Sequence, residues 1–169
     1  THPAFITEAM TEDITIILNT KGTAADGYTG ELYAHTGVLT STSKDNGDWK
    51  HVLSSWGQNI PECKLVNKGN NVWYYTIKGG VRAWYKVNTN EVVTHLAFVF
   101  RSSDNKIEVK DNGADIFIEL AEEGLAVKFL APKHGDKYQV GDEIVVQTQQ
   151  QAATSVKLYQ NGEEVATTT

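Results

Sequence analysis

The sequence predicts an all-β protein in two parts, a β-sandwich over residues 1–124 and the beginning of a second sandwich over residues 125–169. Three observations predict it. β-Branched and aromatic residues gather in short runs bounded by Gly, Asn or Asp, apolar and polar residues alternate at a period of two, and the composition changes near Gly124. All four tryptophans and thirteen of the sixteen aromatics lie before residue 125, whereas six of the seven glutamines lie after it. The polar, glycine-ended Glu122-Glu123-Gly124 reads as the connector.

Five strands are expected in the first part. Ile14 to Asn19, Gly30 to His35, Asn71 to Ile77, Leu96 to Arg101 and Asp115 to Leu120 each combine β-forming residues with turn residues at their ends. Leu96-Ala97-Phe98-Val99-Phe100 is apolar on both faces, the pattern of a central strand covered on each side. Glu31-Leu32-Tyr33-Ala34-His35 instead places Leu32 and Ala34 on one face and Tyr33 with His35 on the other, which makes that second face a candidate site. Between the third and fourth strands, the spacing of Val81, Trp84 and Tyr85 predicts a short helical turn lying on the sandwich.

In the second part, Val127 and Phe129, Ile144 and Val146, then Val156 and Leu158 mark three strands. His134-Gly135-Asp136 and Val140-Gly141-Asp142 are expected to turn, and Gln160-Asn161-Gly162-Glu163 carries the strongest hairpin signal in the chain, Asn-Gly, before a fourth strand begins at Val165. An immunoglobulin-like sandwich needs about seven strands and roughly 100 residues. Residues 125–169 therefore read as the first half of one, with an open edge that invites self-association.

Composition and charge exclude several classes of function. With 15 Lys+Arg against 21 Asp+Glu the formal charge is -6, and no basic run breaks the balance, which argues against nucleic acid as a partner. No apolar run reaches the roughly 18 to 20 residues of a membrane helix, so no membrane insertion is expected. Thr1 to Ala9 lack a signal-peptide pattern, and the chain reads as a mature protein or an excised piece. The single cysteine, Cys63, permits no internal disulfide and reads as a small, partly buried residue.

Catalytic spacings are missing too. There is no Gly-x-Ser-x-Gly elbow, no phosphate-cradling glycine loop and no His-Glu-x-x-His, and nothing implies a cofactor. Asp104-Asn105 and Asp111-Asn112-Gly113-Ala114-Asp115 have the composition of half a calcium loop without its full ligand spacing, and turn chemistry accounts for both. A metal cluster would require His35 and His51 to meet carboxylates in the fold.

What stands out is Trp49 and Trp56 within the polar stretch from Thr40 to Asn59. Flat, rigid rings flanked by Lys50, Asp48, Gln58 and Asn59 are what a sugar platform requires, because an indole takes the apolar C–H face of a pyranose while polar neighbours take its hydroxyls. The alternative is that one or both rings fold back and cap the sandwich. Trp73, alternating within a strand, reads as a core residue, and Trp84 as packing.

Several of these segments together resemble a known family. The run from Gly30 to Val38, Asp48-Trp49-Lys50, Trp56-Gly57, Asn71 to Ile77, Leu96 to Ser102 and Asp115-Ile116-Phe117-Ile118 resemble the amino-terminal module of Bacteroidetes-type secreted α-amylase family glycoside hydrolases, over roughly residues 10 to 120. The resemblance implies a β-sandwich like a starch-binding carbohydrate module, then an immunoglobulin-like domain, with a catalytic barrel beyond. It also implies that this portion is noncatalytic, is exported to the periplasm or cell surface, and binds an α-glucan such as starch or a maltooligosaccharide. By position, the stacking residues carried over are Trp49, Trp56 and Tyr33, with His35 and Lys50 as polar partners. A structural spacer without a ligand is the competing expectation.

Overall fold

Alternation decides the first strand. In β1 (Ile14–Asn19), Ile14, Ile16 and Leu18 are buried while Thr15, Ile17 and Asn19 face outward. The computed structural model describes residues 1–132 and 135–168 and divides the chain into two units, Thr1–Ala121 and Glu122–Thr169, so the boundary falls slightly before the Gly124 expected from composition.

Unit 1 contains β1, β2 (Leu32–Thr40), a 3-10 turn at Pro61–Cys63, β3 (Val66–Gly69), β4 (Val72–Ile77), helix α1 (Gly80–Tyr85), β5 (Val93–Ser102), β6 (Glu108–Val109) and β7 (Ile116–Glu119). The five expected strands and the helical turn are all present, and β3 and β6 are additional. One sheet has the order β1-β4-β3. In the other, β2 runs antiparallel along one side of β5 while β6 and β7 pair in succession with its other side.

The two sheets enclose one core. Trp73, Tyr75 and Ile77 of β4 meet Leu32, Ala34 and Val38 of β2 and Leu96, Phe98 and Phe100 of β5. Tyr75 meets Phe98 edge-on at 5.9 Å, and Phe98 stacks on Phe100 at 5.4 Å. Helix α1 covers one side with Val81 and Tyr85, and the Trp84 indole N–H donates to the Tyr75 hydroxyl at 2.9 Å. The helix begins at Gly80, whose φ is +81° and whose missing Cβ would fall 1.8 Å from the Met10 carbonyl oxygen; only glycine fits there. Thr36 donates to the Ala97 carbonyl, so the buried Tyr85 hydroxyl is the donor of its 2.7 Å bond to Thr36.

Unit 2 consists of two antiparallel hairpins. β8 (Ala126–Ala131) pairs with β9 (Gln147–Gln151), and β10 (Val156–Gln160) pairs with β11 (Glu163–Thr168). Asn161 and Gly162 turn the second hairpin with φ of 53° and 89°, as the Asn-Gly signal predicts. The expected strand at Ile144 and Val146 is corrected: the ladder starts at Gln147, opposite Ala131. Pro132 follows Ala131 and has no N–H to donate, so β8 runs out of partners before the apolar residues are reached, and the glutamines form the strand instead. The fourth strand is a full strand rather than a start, and every residue of it is exposed. The turn expected at His134 lies outside the described residues.

Trp73 is 2% exposed at the centre of the unit 1 core. Trp73→Ala is expected to cost about 3 to 5 kcal/mol of stability by opening a cavity, read as a lowered urea midpoint; a midpoint unchanged from wild type would contradict this account of the core.

Candidate carbohydrate-binding cleft

The site grows from the second face of the β2–β5 ladder. Tyr33 lies opposite Arg101, His35 opposite Val99, Gly37 opposite Ala97 and Leu39 opposite His95, and Ala97 in turn lies opposite Phe117 of β7. Side chains in these rows point away from the core, yet Ala97, Val99 and Arg101 are buried. The segment between β2 and the 3-10 turn covers them.

Backbone pairing starts the cover. The Val38 N–H donates to the Lys50 carbonyl at 2.9 Å, the Lys50 N–H returns to the Val38 carbonyl at 2.7 Å, and the Leu53 N–H donates to Thr36. Gly37 permits this approach, because a Cβ there would lie 2.8 Å from the Lys50 carbonyl oxygen. Arg101, 1% exposed, fastens the far end. Its Nη1 donates to the Asn59 side-chain oxygen at 2.8 Å and its Nη2 to the Gln58 carbonyl, while the Asn59 amide donates to the Ser103 carbonyl at 2.9 Å. The guanidinium lies over the Tyr33 ring, 5.6 Å from its centroid. Carbonyl oxygens and an aromatic face, rather than a carboxylate, thus hold this buried cation, and among the described residues Arg101 Nε has no partner.

Between these two fastenings the tryptophans reach the sheet. His35 stacks on Trp49 at 5.6 Å with planes 25° apart, and meets Trp56 at 5.1 Å with planes 78° apart. The two indoles are therefore steeply inclined to each other. Trp49 also meets Phe117 edge-on at 6.2 Å. His35, Trp49, Val52, Trp56 and Val99 line an open cleft of about 390 Å³ whose rim carries Lys110 and Asp115. Trp56 is 47% exposed. Trp49 is half-buried, and its indole N–H donates to the Asn46 carbonyl at 2.8 Å.

Three residues singled out with these rings are placed differently. Tyr33 is 6% exposed, under Arg101, with its hydroxyl donated to Glu31 at 2.9 Å; the phenol is pushed up by burial and then by Glu31. It is not a stacking surface, which corrects the sequence expectation: the alternation puts it on the right face, but the covering segment closes over it. The Lys50 ammonium is 2.7 Å from Asp48, and Gln58 accepts from the Ser55 N–H, so both polar groups are engaged beside the rings rather than at the cleft. Cys63 is fully buried, and burial pushes its thiol up. His51 pairs with Glu91 at 2.9 Å instead of approaching His35, and among the described residues no three His, Cys, Asp or Glu side chains converge as metal ligands.

Sequence reasoning missed Val99, Lys110 and Asp115 as members of the cleft, Phe117 as the ring against Trp49, and Arg101 as the fastening. A signal for two of them was present. Asn112-Gly113 forms a two-residue turn, with φ of 49° and 86° and reciprocal 2.9 Å bonds between Asp111 and Ala114, which places the flanking Lys110 and Asp115 opposite each other.

His35 is held below the ordinary imidazole range, mainly by burial and then by Arg101, with Asp115 opposing. The unfolded chain therefore takes up the proton first as pH falls. Stability from this group is complete above about pH 6.5 and is lost as pH drops toward the folded-state value. The His35 ring protons are expected to titrate below about pH 6.5 by NMR, and His35→Gln should flatten the fall of melting temperature between about pH 7 and 5; a midpoint above the ordinary range would refute the assignment. No protein-family model and no curated protein sequence matches this chain.

Proposed function

We propose that unit 1 is a noncatalytic carbohydrate-binding module that holds an α-1,4-linked glucan, starch or a maltooligosaccharide, for an exported α-amylase family enzyme. The observation that carries this reading is the cleft on the outer face of the β2–β5 ladder, where the half-exposed Trp56 stands beside His35 and Trp49 under a charged rim. An exposed indole offers the apolar surface a pyranose face needs, and charged neighbours offer hydroxyl partners. The inclination of the indoles supports a chain that turns from residue to residue, as an α-1,4-glucan does. A flat β-1,4 ribbon cannot lie on both rings at once. Binding of this kind raises the local substrate concentration for a linked catalytic domain.

A second reading, a spacer without a ligand, draws support from Trp49. Its contacts with His35 and Phe117 make it a cover for the sheet as much as a platform. The two readings separate at Trp56. Under the binding reading, the isolated chain is retarded in native gels containing amylose or pullulan but not xylan or a cellulose derivative. Trp56→Ala should then weaken maltoheptaose binding by about 2 kcal/mol, roughly thirtyfold, at an unchanged melting temperature. Trp49→Ala should lower both affinity and melting temperature. Wild-type protein that ignores every α-glucan would leave the spacer.

Unit 2 supports association between copies. Val127, Phe129, Tyr159 and Val165 are exposed on two-stranded sheets whose outer edges are unpaired among the described residues. Light scattering is expected to show a mass that rises with concentration and falls when residues 122–169 are removed; a strict monomer at high concentration would exclude it.

A further inference from the structure

The hairpin between β6 and β7 is left unexplained by the fold. It contributes little to the core, and its acidic turn has the makings of a calcium loop without the spacing. Its register shows another use. Phe100 pairs with Val109 and Phe98 with Ile116, so the next residues inward, Lys110 and Asp115, both arrive beside Val99, on the face that carries His35. The Asn112-Gly113 turn locks this arrangement, because a two-residue turn fixes the register of both arms.

The two side chains are not consumed by each other. Lys110 Nζ lies 4.0 Å from Asp115 Oδ1, at the limit of an ion pair, and pairs with Glu108 at 3.2 Å, which occupies one of the three ammonium donors, and each group of the Lys110–Asp115 pair is about a third exposed at the cleft. Across the cleft, the polar groups nearest the tryptophans in sequence are already engaged: Lys50 with Asp48, and Gln58 with Ser55. A sugar ring lying against an indole directs its equatorial hydroxyls sideways, in the plane of the ring, toward whatever forms the rim. At this rim stand an ammonium that donates and a carboxylate that accepts, spaced for neighbouring hydroxyls to bridge.

Resting on the binding reading above, we infer that Lys110 and Asp115 form the polar half of the cleft and bind adjacent hydroxyls of one neutral sugar residue held against the aromatic half. An ammonium that donates and a carboxylate that accepts match the accepting and donating capacity of two adjacent hydroxyls. The polar contacts therefore come from the connection between β6 and β7, and the stacking area from the segment between β2 and β3.

The test is calorimetric titration of the full chain with maltoheptaose. Lys110→Ala and Asp115→Ala are each expected to weaken binding by about tenfold, with the loss in the double variant smaller than the product of the two, because both groups serve the same pair of hydroxyls. Lys110→Arg should restore affinity to within a fewfold of wild type. Melting temperatures should stay at the wild-type value, since both side chains lie at the surface. If Trp56→Ala weakens binding as expected while Lys110→Ala and Asp115→Ala bind as wild type does, the assignment of the polar half is wrong and the binding reading survives. Loss of affinity in the alanine variants only in step with a lowered melting temperature, without recovery in Lys110→Arg, would also overturn it. Wild-type protein that binds no glucan removes both.

Discussion

One constraint organises unit 1: β5 is apolar on both faces, and both must be covered. The sheet of β1, β4 and β3 covers one face through Trp73, Tyr75 and Ile77. Among the described residues of unit 1, no second sheet covers the other. There the chain between β2 and β3 folds back, with Lys50 paired to Val38 and with Gln58 and Asn59 held by Arg101. Burial of Ala97 and Val99 thus requires a long irregular segment to lie still on a flat surface. Such a segment is costly in conformational entropy, and backbone pairing at one end with a buried guanidinium at the other offsets that cost.

The cleft follows from how this cover is made. A segment of mixed polarity cannot seal a sheet as a second sheet does, so it uses large rings. Trp49 settles on His35 and against Phe117, while Trp56 reaches the border and stays half in solvent. His35 is the shared neighbour, and its burial holds the imidazole neutral. A neutral ring between two indoles behaves as an aromatic spacer that sets their inclination. The same packing that protects β5 therefore produces a bent aromatic surface, and the Asn112-Gly113 hairpin brings opposite charges to its rim.

Unit 2 contrasts with this. Its hairpins have the local chemistry of strands, but the apolar side chains of β8, β10 and β11 include exposed residues such as Phe129, Tyr159 and Val165. Alternation specifies a strand and its two faces, and it leaves open what covers the apolar one. Two-stranded sheets bury too little to be stable alone.

Much of the fold was legible in the chain itself. The alternation of Ile14, Ile16 and Leu18, the doubly apolar Leu96 to Phe100, the Asn-Gly turns and the helical spacing of Val81 and Tyr85 each act through neighbours a few residues away, and each appears as expected. The sequence also marked the face of Tyr33 and His35 and the two tryptophans above it. It misjudged Ile144 and Val146, because a strand needs a partner and Pro132 ends the partner first. The cleft was settled at longer range. Whether Tyr33 stacks on a ligand or lies under Arg101, whether Lys50 reaches the cleft or turns to Asp48, and which residues stand beside Val99 all depend on segments up to about eighty residues apart in the chain. Local sequence determines the period and the turn, whereas burial and partnership belong to the packed chain, because only packing decides which groups are removed from water and what they meet there.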